Sequence, residues 1–492
     1  MSCFARSRCV LVLALGVLPV AAQAHRDDPK ALNPAPPYEG PGYAAKQSPE
    51  LAEMNAAAAY SGAAGVQVAG GTAFPAQNVE LLSWVSLADF DLGSSMASVW
   101  GYTSPSGREY AICPLRSGTA FVEVTDPTNP RIVGSISGTT NLWRDAREYQ
   151  GFVYVGSESG EGVRVIDIRN LDDGLPSLVR TINTPSTGRT HTIEVDRVNG
   201  FLYRAGGLDN GLRIYSLADP GNPQFVASWS LRYVHEVTVV SYDSGPYAGK
   251  QIAFCCSGFN GGFEETGLEI LDVTNKQNIV QLGRIVYPGG QFSHQVWLSK
   301  DRKYAYLNDE LDEQRNGLPT TTLIFNVENL SNPTLVGSFH NSSPAVGHNL
   351  YVRGDFIYEA NYTSGLRVFR ATNPLAPTEV AWFDTAPTLN DNSFNGAWSC
   401  YPFFQSGIVL VSDMQRGLFV LRVTLPAVPG DLNCDGVVSV SDIGHFVSAL
   451  TNPAAYHQAN PVCDIASADI NGDGNVTVSD IAGFVNLLTG AP

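Results

Sequence analysis

Two stretches of the 492-residue chain carry oxygen donors at a spacing that suits a hard cation. Asp431, Asn433, Asp435, Val437, Ser439 and Asp442 stand at positions 1, 3, 5, 7, 9 and 12 of one loop, and Asp469, Asn471, Asp473, Asn475, Thr477 and Asp480 repeat them in a second. Calcium takes six to eight oxygens. This pattern supplies side-chain oxygens at positions 1, 3, 5 and 12, a backbone carbonyl at 7, and a hydroxyl or bridging water at 9. Gly436 and Gly474 permit the sharp turn at position 6. Three carboxylates per loop would repel one another without an ion, so two Ca2+ sites are expected. After the loops, Ile443, Phe446, Val447 and Leu450, then Ile481, Phe484, Val485 and Leu488, recur at helical spacing. Neither helix buries much alone, so calcium is expected to help the pair fold.

A second constellation is built from imidazoles. His191, His235, His294 and His348 each fall where a β-strand begins, in four successive repeats of similar sequence, and Asp145 holds a matching place in another. Loops after the neighbouring strands carry Glu158, Glu264, Asp309, Glu310, Asp312, Glu359 and Asp413. If these strands line a common axis, imidazoles ringed by carboxylates could bind a divalent metal or a cationic or polyhydroxyl ligand. The competing reading is structural: a repeated polar residue can satisfy buried backbone groups between sheets. Asp145, His191, His235, His294, His348, Asp309 and Glu310 are the candidate ligand-binding residues.

The elements that must position these residues follow from the repeats. Similar units start at Gly118, Gly162, Gly211, Gly267, Thr321, Gly365 and Gly417, 44 to 56 residues apart. In most of them a Gly enters a run of alternating aliphatic residues, an Asp or Asn before Pro makes a turn, and another strand leaves. A period near 50 with strand chemistry predicts a β-propeller. Six units have their own last strand, whereas the seventh runs into Leu425-Pro426. The apolar segment Val79 to Val85 can supply the missing strand and close the ring. The fold expected is mainly β: a seven-bladed propeller over 79–425, closed by an N-terminal strand, then a 426–430 linker and a small helical calcium module over 431–490.

The repeats resemble LVIVD-repeat propellers, and residues 66 to 424 resemble the choice-of-anchor B family. Trp100-Gly101-Tyr102, Trp143-Arg144-Asp145, Ser293-His294-Gln295-Val296-Trp297, Asn308-Asp309-Glu310, Gly347-His348-Asn349 and Arg416-Gly417-Leu418-Phe419 carry the likeness. It implies an exported propeller joined to a varied C-terminal anchor, with no established reaction. The C-terminal module resembles a type I dockerin in its loop-then-helix order, its duplication and its Asp at position 12. That resemblance implies docking on a cohesin through positions 10 and 11, here Val440, Ser441, Val478 and Ser479. The loops start 38 residues apart, a longer connection than dockerins usually have. The module's two cysteines, Cys434 and Cys463, are expected to pair.

Composition narrows the remaining choices. With 30 Lys and Arg against 47 Asp and Glu, the formal charge is −17, unlike a nucleic-acid binder or an adherent of anionic lipid. Residues 1–24 read as a secretory signal peptide, with Arg6 and Arg8 before a short apolar run and Ala22-Gln23-Ala24 as the cleavage site. No later apolar stretch is long enough to span a bilayer, so a secreted or cell-surface protein is expected. Residues 25–78 read as a flexible leader. Cys113, Cys255, Cys256 and Cys400 leave three disulfide pairings open. Two functions compete. One is a non-enzymatic binding propeller attached through its tail to a cohesin-like or other surface protein. The other is a polysaccharide hydrolase or lyase working at the His and carboxylate face. The absence of a nucleophile elbow, a paired-histidine helix and a phosphate loop favours the first.

Overall fold

In the computed structural model the residues described are 35–47, 49–60, 65–69, 71–183, 187–258 and 263–490. Among them seven antiparallel sheets each contain the four strands of one blade. In blade 1 these are Trp100–Thr103, Glu109–Leu115, Gly118–Glu123 and Arg131–Ser137. The innermost strands of the other blades are Arg144–Tyr149, Thr192–Asp196, Glu236–Ser241, Ser293–Leu298, Asn349–Arg353 and Ala397–Tyr401. Apolar residues of neighbouring blades interdigitate; Tyr203, Leu212 and Ile214 of blade 3, for example, meet Ala253 and Cys255 of blade 4.

The repeated sequence grammar has a geometric cause. Gly211, Gly365 and Gly417 open their third strands at φ of 72°, 73° and 97°. A Cβ there would lie 1.7, 2.1 and 2.5 Å from a carbonyl oxygen of the outer strand, so only glycine fits. Each pairing of third and outer strand also contains a register shift, seen in all seven blades. Such bulges sharpen strand twist.

The seventh blade takes its outer strand from the N-terminal side. Val79–Val85 pairs antiparallel with Gly417–Val423, as expected for ring closure. The flexible leader expected over 25–78 does not hold for the residues described. Hairpin Gly65–Ala69 and Thr72–Gln77 adds to the outer strand of blade 6 through Trp382–Gln77 and Phe383–Ala76. Phe74 is fully buried among Trp84, Phe383 and Phe419, and Gln67 donates to the Val79 carbonyl while accepting from Leu81 N at 2.6 Å. A helix, Pro49–Tyr60, packs beside this addition. The sequence counted few large apolar groups here, but one Phe and one amide suffice when a finished sheet provides the other half of the interface. The proposed signal segment lies outside the described residues.

The C-terminal module has helices Ile443–Thr451, Pro453–Ala459 and Ile481–Thr489. Phe446 and Phe484 stack at its centre, 4.1 Å between centroids and 10° between planes. Cys434 and Cys463 are disulfide-bonded. The other four cysteines are free and buried, so none of the pairings left open for them forms. The junction is not a bare linker. Leu425 bridges Cys463 in parallel, Leu425 N donates to Val462 O at 2.8 Å, and Thr372 Oγ1 of blade 6 donates to Asp435 O at 3.3 Å.

Candidate functional site

The four histidines come together as a row. They open the innermost strands of blades 3, 4, 5 and 6, and adjacent ring centroids are 4.1, 4.6 and 4.2 Å apart. All four are buried, His294 completely. His294 falls at a register shift between Ser293 and Gln295, the kind of irregularity that re-aims a side chain. The carboxylates sit among them. His191 Nδ1 is 2.5 Å from Glu158 Oε1. Glu310 presents Oε1 at 3.4 Å from His348 Nε2 and Oε2 at 3.7 Å from His294 Nε2. Tyr362 Oη donates to Glu310 Oε1 at 2.8 Å. Ligand atoms of His235, His294 and Glu310 all lie within 4.8 Å of one another.

The other acids play different parts. Asp309 accepts from Gln291 N, Phe292 N, Leu311 N and Tyr287 Oη, so it clamps the loop that presents Glu310. Asp145 accepts from Ile193 N and Arg147, tying blade 2 to blade 3. Glu359 bonds Thr322 and Asn361, and Asp413 caps its own turn through Gln415 N and Arg416 N. Glu264 is exposed and stands apart. Burial pushes Asp312 and its neighbour Glu313 upward, and the charge of Asp312 raises Glu313 further.

Backbone groups between innermost strands are satisfied chiefly by neighbours of the histidines. Thr192 donates to His235 O, Thr238 to Val296 O, Asp145 accepts from Ile193 N, and Gln295 accepts from Leu350 N. His348 adds one bond, Nδ1 to Trp398 O at 2.5 Å. Residues beside the imidazoles thus carry much of the bracing between innermost strands. Below the row, a void of about 10 Å³ is bounded by Asp145, Arg147, His191, Glu236, His348 and Trp398. That is room for about one water.

The opposite mouth of the axis holds a site that sequence reasoning did not assign. The innermost strands end there around a cavity of about 810 Å³ lined by Trp100, Tyr102, Trp297, Tyr401 and Phe403, with Arg147, Glu148, Glu194 and Arg197 at its polar side. Trp100 meets Tyr401 edge-on at 5.0 Å, and Trp297 lies 6.0 Å from Phe403. Gly101 is required because a Cβ would come 2.0 Å from the Tyr401 ring. Arg147 sits 4.2 Å over Trp100 and reaches Asp145 and Glu194 at 2.9 and 3.3 Å. Burial pushes Glu194 up to about 7 against the lowering pull of Arg147. Trp100-Gly101-Tyr102 and Val296-Trp297 were visible as motifs. Their convergence was not, because they lie in blades 1 and 5.

In the C-terminal module the two loops share one network. Asp431 accepts from Asp435 N and Gly436 N, as Asp469 does from Asp473 N and Gly474 N. Asp442 closes its loop by accepting from Leu432 N, Asn433 N and Ser439 N, and Asp480 does the same from Ile470 N, Asn471 N and Thr477 N. Burial raises Asp431, and the charges of Asp435 and Asp442 add to it, which is the repulsion a cation would relieve. Val440 and Val478 are 78% and 77% exposed, and Ser441 and Ser479 are also exposed. Ile443, Val447, Ile481 and Val485, which recur at helical spacing, are exposed beside them.

The family model for the dockerin type I domain matches residues 429–488. Dockerin type I domains bind calcium and cohesin partners. No curated protein matches the chain. Among solved structures, a hypothetical selenium-binding protein from Sulfolobus tokodaii is 12% identical, with a TM-score of 0.48, 72% of this chain and 90% of that chain covered. Hydrazine synthase from Kuenenia stuttgartiensis is 13% identical at 0.47, covering 68% and 97%. A periplasmic gluconolactonase from Pseudomonas aeruginosa is 12% identical at 0.45, covering 65% and 88%. No helix among the described residues is long and apolar enough to cross a membrane.

Proposed function

We propose that this is an exported, non-enzymatic binding propeller held on an extracellular assembly by calcium-dependent docking of its tail to a cohesin. The observation that carries the reading is the duplicated loop: twelve positions, the same donor residues and the same internal hydrogen bonds, within a match to the dockerin type I domain. Two calcium ions are assigned to Asp431, Asn433, Asp435, Val437, Ser439 and Asp442, and to Asp469, Asn471, Asp473, Asn475, Thr477 and Asp480. The docking face is formed by Val440, Ser441, Val478 and Ser479, extended by the exposed Ile443, Val447, Ile481 and Val485. Exposed apolar groups at equivalent places in both repeats are what a partner would cover.

The propeller supplies two compartments of different size. The aromatic mouth is large enough for a small organic ligand with an apolar or ring-shaped face. At the histidine end the buried imidazoles and carboxylates are read as an ion site, beside a void with room for about one water.

The docking test is binding of the full chain to type I cohesins by calorimetry. Binding is expected in millimolar calcium and lost on chelation, and Val440→Asp with Val478→Asp together should weaken it at least about tenfold, or roughly 1.4 kcal/mol. Calcium-independent binding, or no binding to any cohesin tried, would overturn the docking role.

A further inference from the structure

We propose that the histidine end of the propeller axis binds a borderline transition-metal ion, zinc or copper in class, through His235, His294 and Glu310. The proposal rests on reading that end as an ion-sized site, and it names the occupant's class and the ligand set. Three observations converge. The first is donor chemistry: two imidazoles and one carboxylate suit zinc, copper or iron and not the calcium of the all-oxygen loops. The second is geometry. The three ligand atoms lie within 4.8 Å of one another. Bonds of about 2.0–2.2 Å require them to draw in by roughly an ångström, within reach of side-chain rotation in His235, His294 and Glu310.

The third is the surrounding support. His348 Nδ1 faces a carbonyl, which only accepts, so that nitrogen carries the proton. Its Nε2 stands 3.4 Å from Glu310 Oε1. Tyr362 fixes Glu310 through a 2.8 Å hydrogen bond, and Asp309 clamps the loop carrying it. Tyr233 Oη stands 3.5 Å from His235 Nδ1, turning Nε2 to the centre. These are the outer contacts that orient metal ligands.

The test titrates the full chain with Co2+ and Zn2+ in millimolar calcium, which keeps the loops filled. Stoichiometry is read by elemental analysis and imidazole coordination from the visible bands of Co2+. The expected result is one ion per chain, with affinity falling at least tenfold in His294→Gln and in Glu310→Gln and calcium uptake unchanged. Circular dichroism and melting of each variant check folding. Uptake of Mn2+ or Mg2+ in place of Co2+ and Zn2+, with the same sensitivity to His294→Gln, would overturn the transition-metal class and leave the ion-sized reading standing. No ion taken up by the folded wild-type chain, with both variants melting well below it, would overturn both and make the histidine row a packing device.

Discussion

Glu194 shows how one residue registers the character of the axis. It is buried beside Arg147, and burial raises its carboxyl from 4.5 to about 7. Between those values the folded chain keeps a proton that the unfolded chain releases, so stability is lost as pH rises through that window. The contribution is on the order of 3 kcal/mol. Denaturant unfolding of Glu194→Gln should therefore fall less steeply than wild type between pH 4.5 and 7; equal slopes would mean that Arg147 holds the carboxylate charged throughout. At this scale the sequence was informative about identity and silent about role. His191, His235, His294 and His348 were recognisable from their repeated place, and they do form one row. Asp145 and Asp309 carried the same sequence signal yet serve as braces. Which acid faces an imidazole and which faces a backbone N–H depends on local strand registers, such as the bulge at His294, that composition does not encode.

At the scale of elements, the strands were legible because glycine entry, alternation and Asx-Pro turns recur in phase. The N-terminal hairpin was not, because Gly65–Ala69 and Thr72–Gln77 match no repeat and owe their order to the sheet they join. Phe74 carries that attachment, packed against Trp84, Phe383 and Phe419. Phe74→Ala should cost about 3–5 kcal/mol in denaturant unfolding. A change below 1 kcal/mol would show that the hairpin is an appendage without part in the core. The helices of the tail teach a related point. Helical spacing correctly located Ile443–Thr451 and Ile481–Thr489, but it could not say that Phe446 and Phe484 turn inward while Val447 and Val485 face out. That choice is made by the stacking of the two repeats.

For the whole molecule, the union of ring and tail matters most. The tail shares a continuous apolar core with blades 6 and 7, where Leu425, Leu432, Cys434 and Phe446 join Phe356, Val409 and Phe419. From sequence alone the Pro-rich junction looked like a spacer, since contacts made across it involve residues far apart in the chain. Chelating calcium should then loosen more than the tail. Hydrogen exchange is expected to rise across 431–490 and in the contacting segments near Thr372 and Gly407, while blades 2 to 4 stay protected. Confinement of the change to 431–490 would mean that the modules fold independently.

The closing strand imposes an order on biogenesis. Trp84 Nε1 donates to Arg416 O across 332 residues, so the first strand of the ring must wait for the last. Until then two sheet edges lie bare, open to pairing with any passing chain. An interrupted translation product that stops short of Gly417 can never shut, and should surface as aggregate or protease substrate instead of as a shorter working copy.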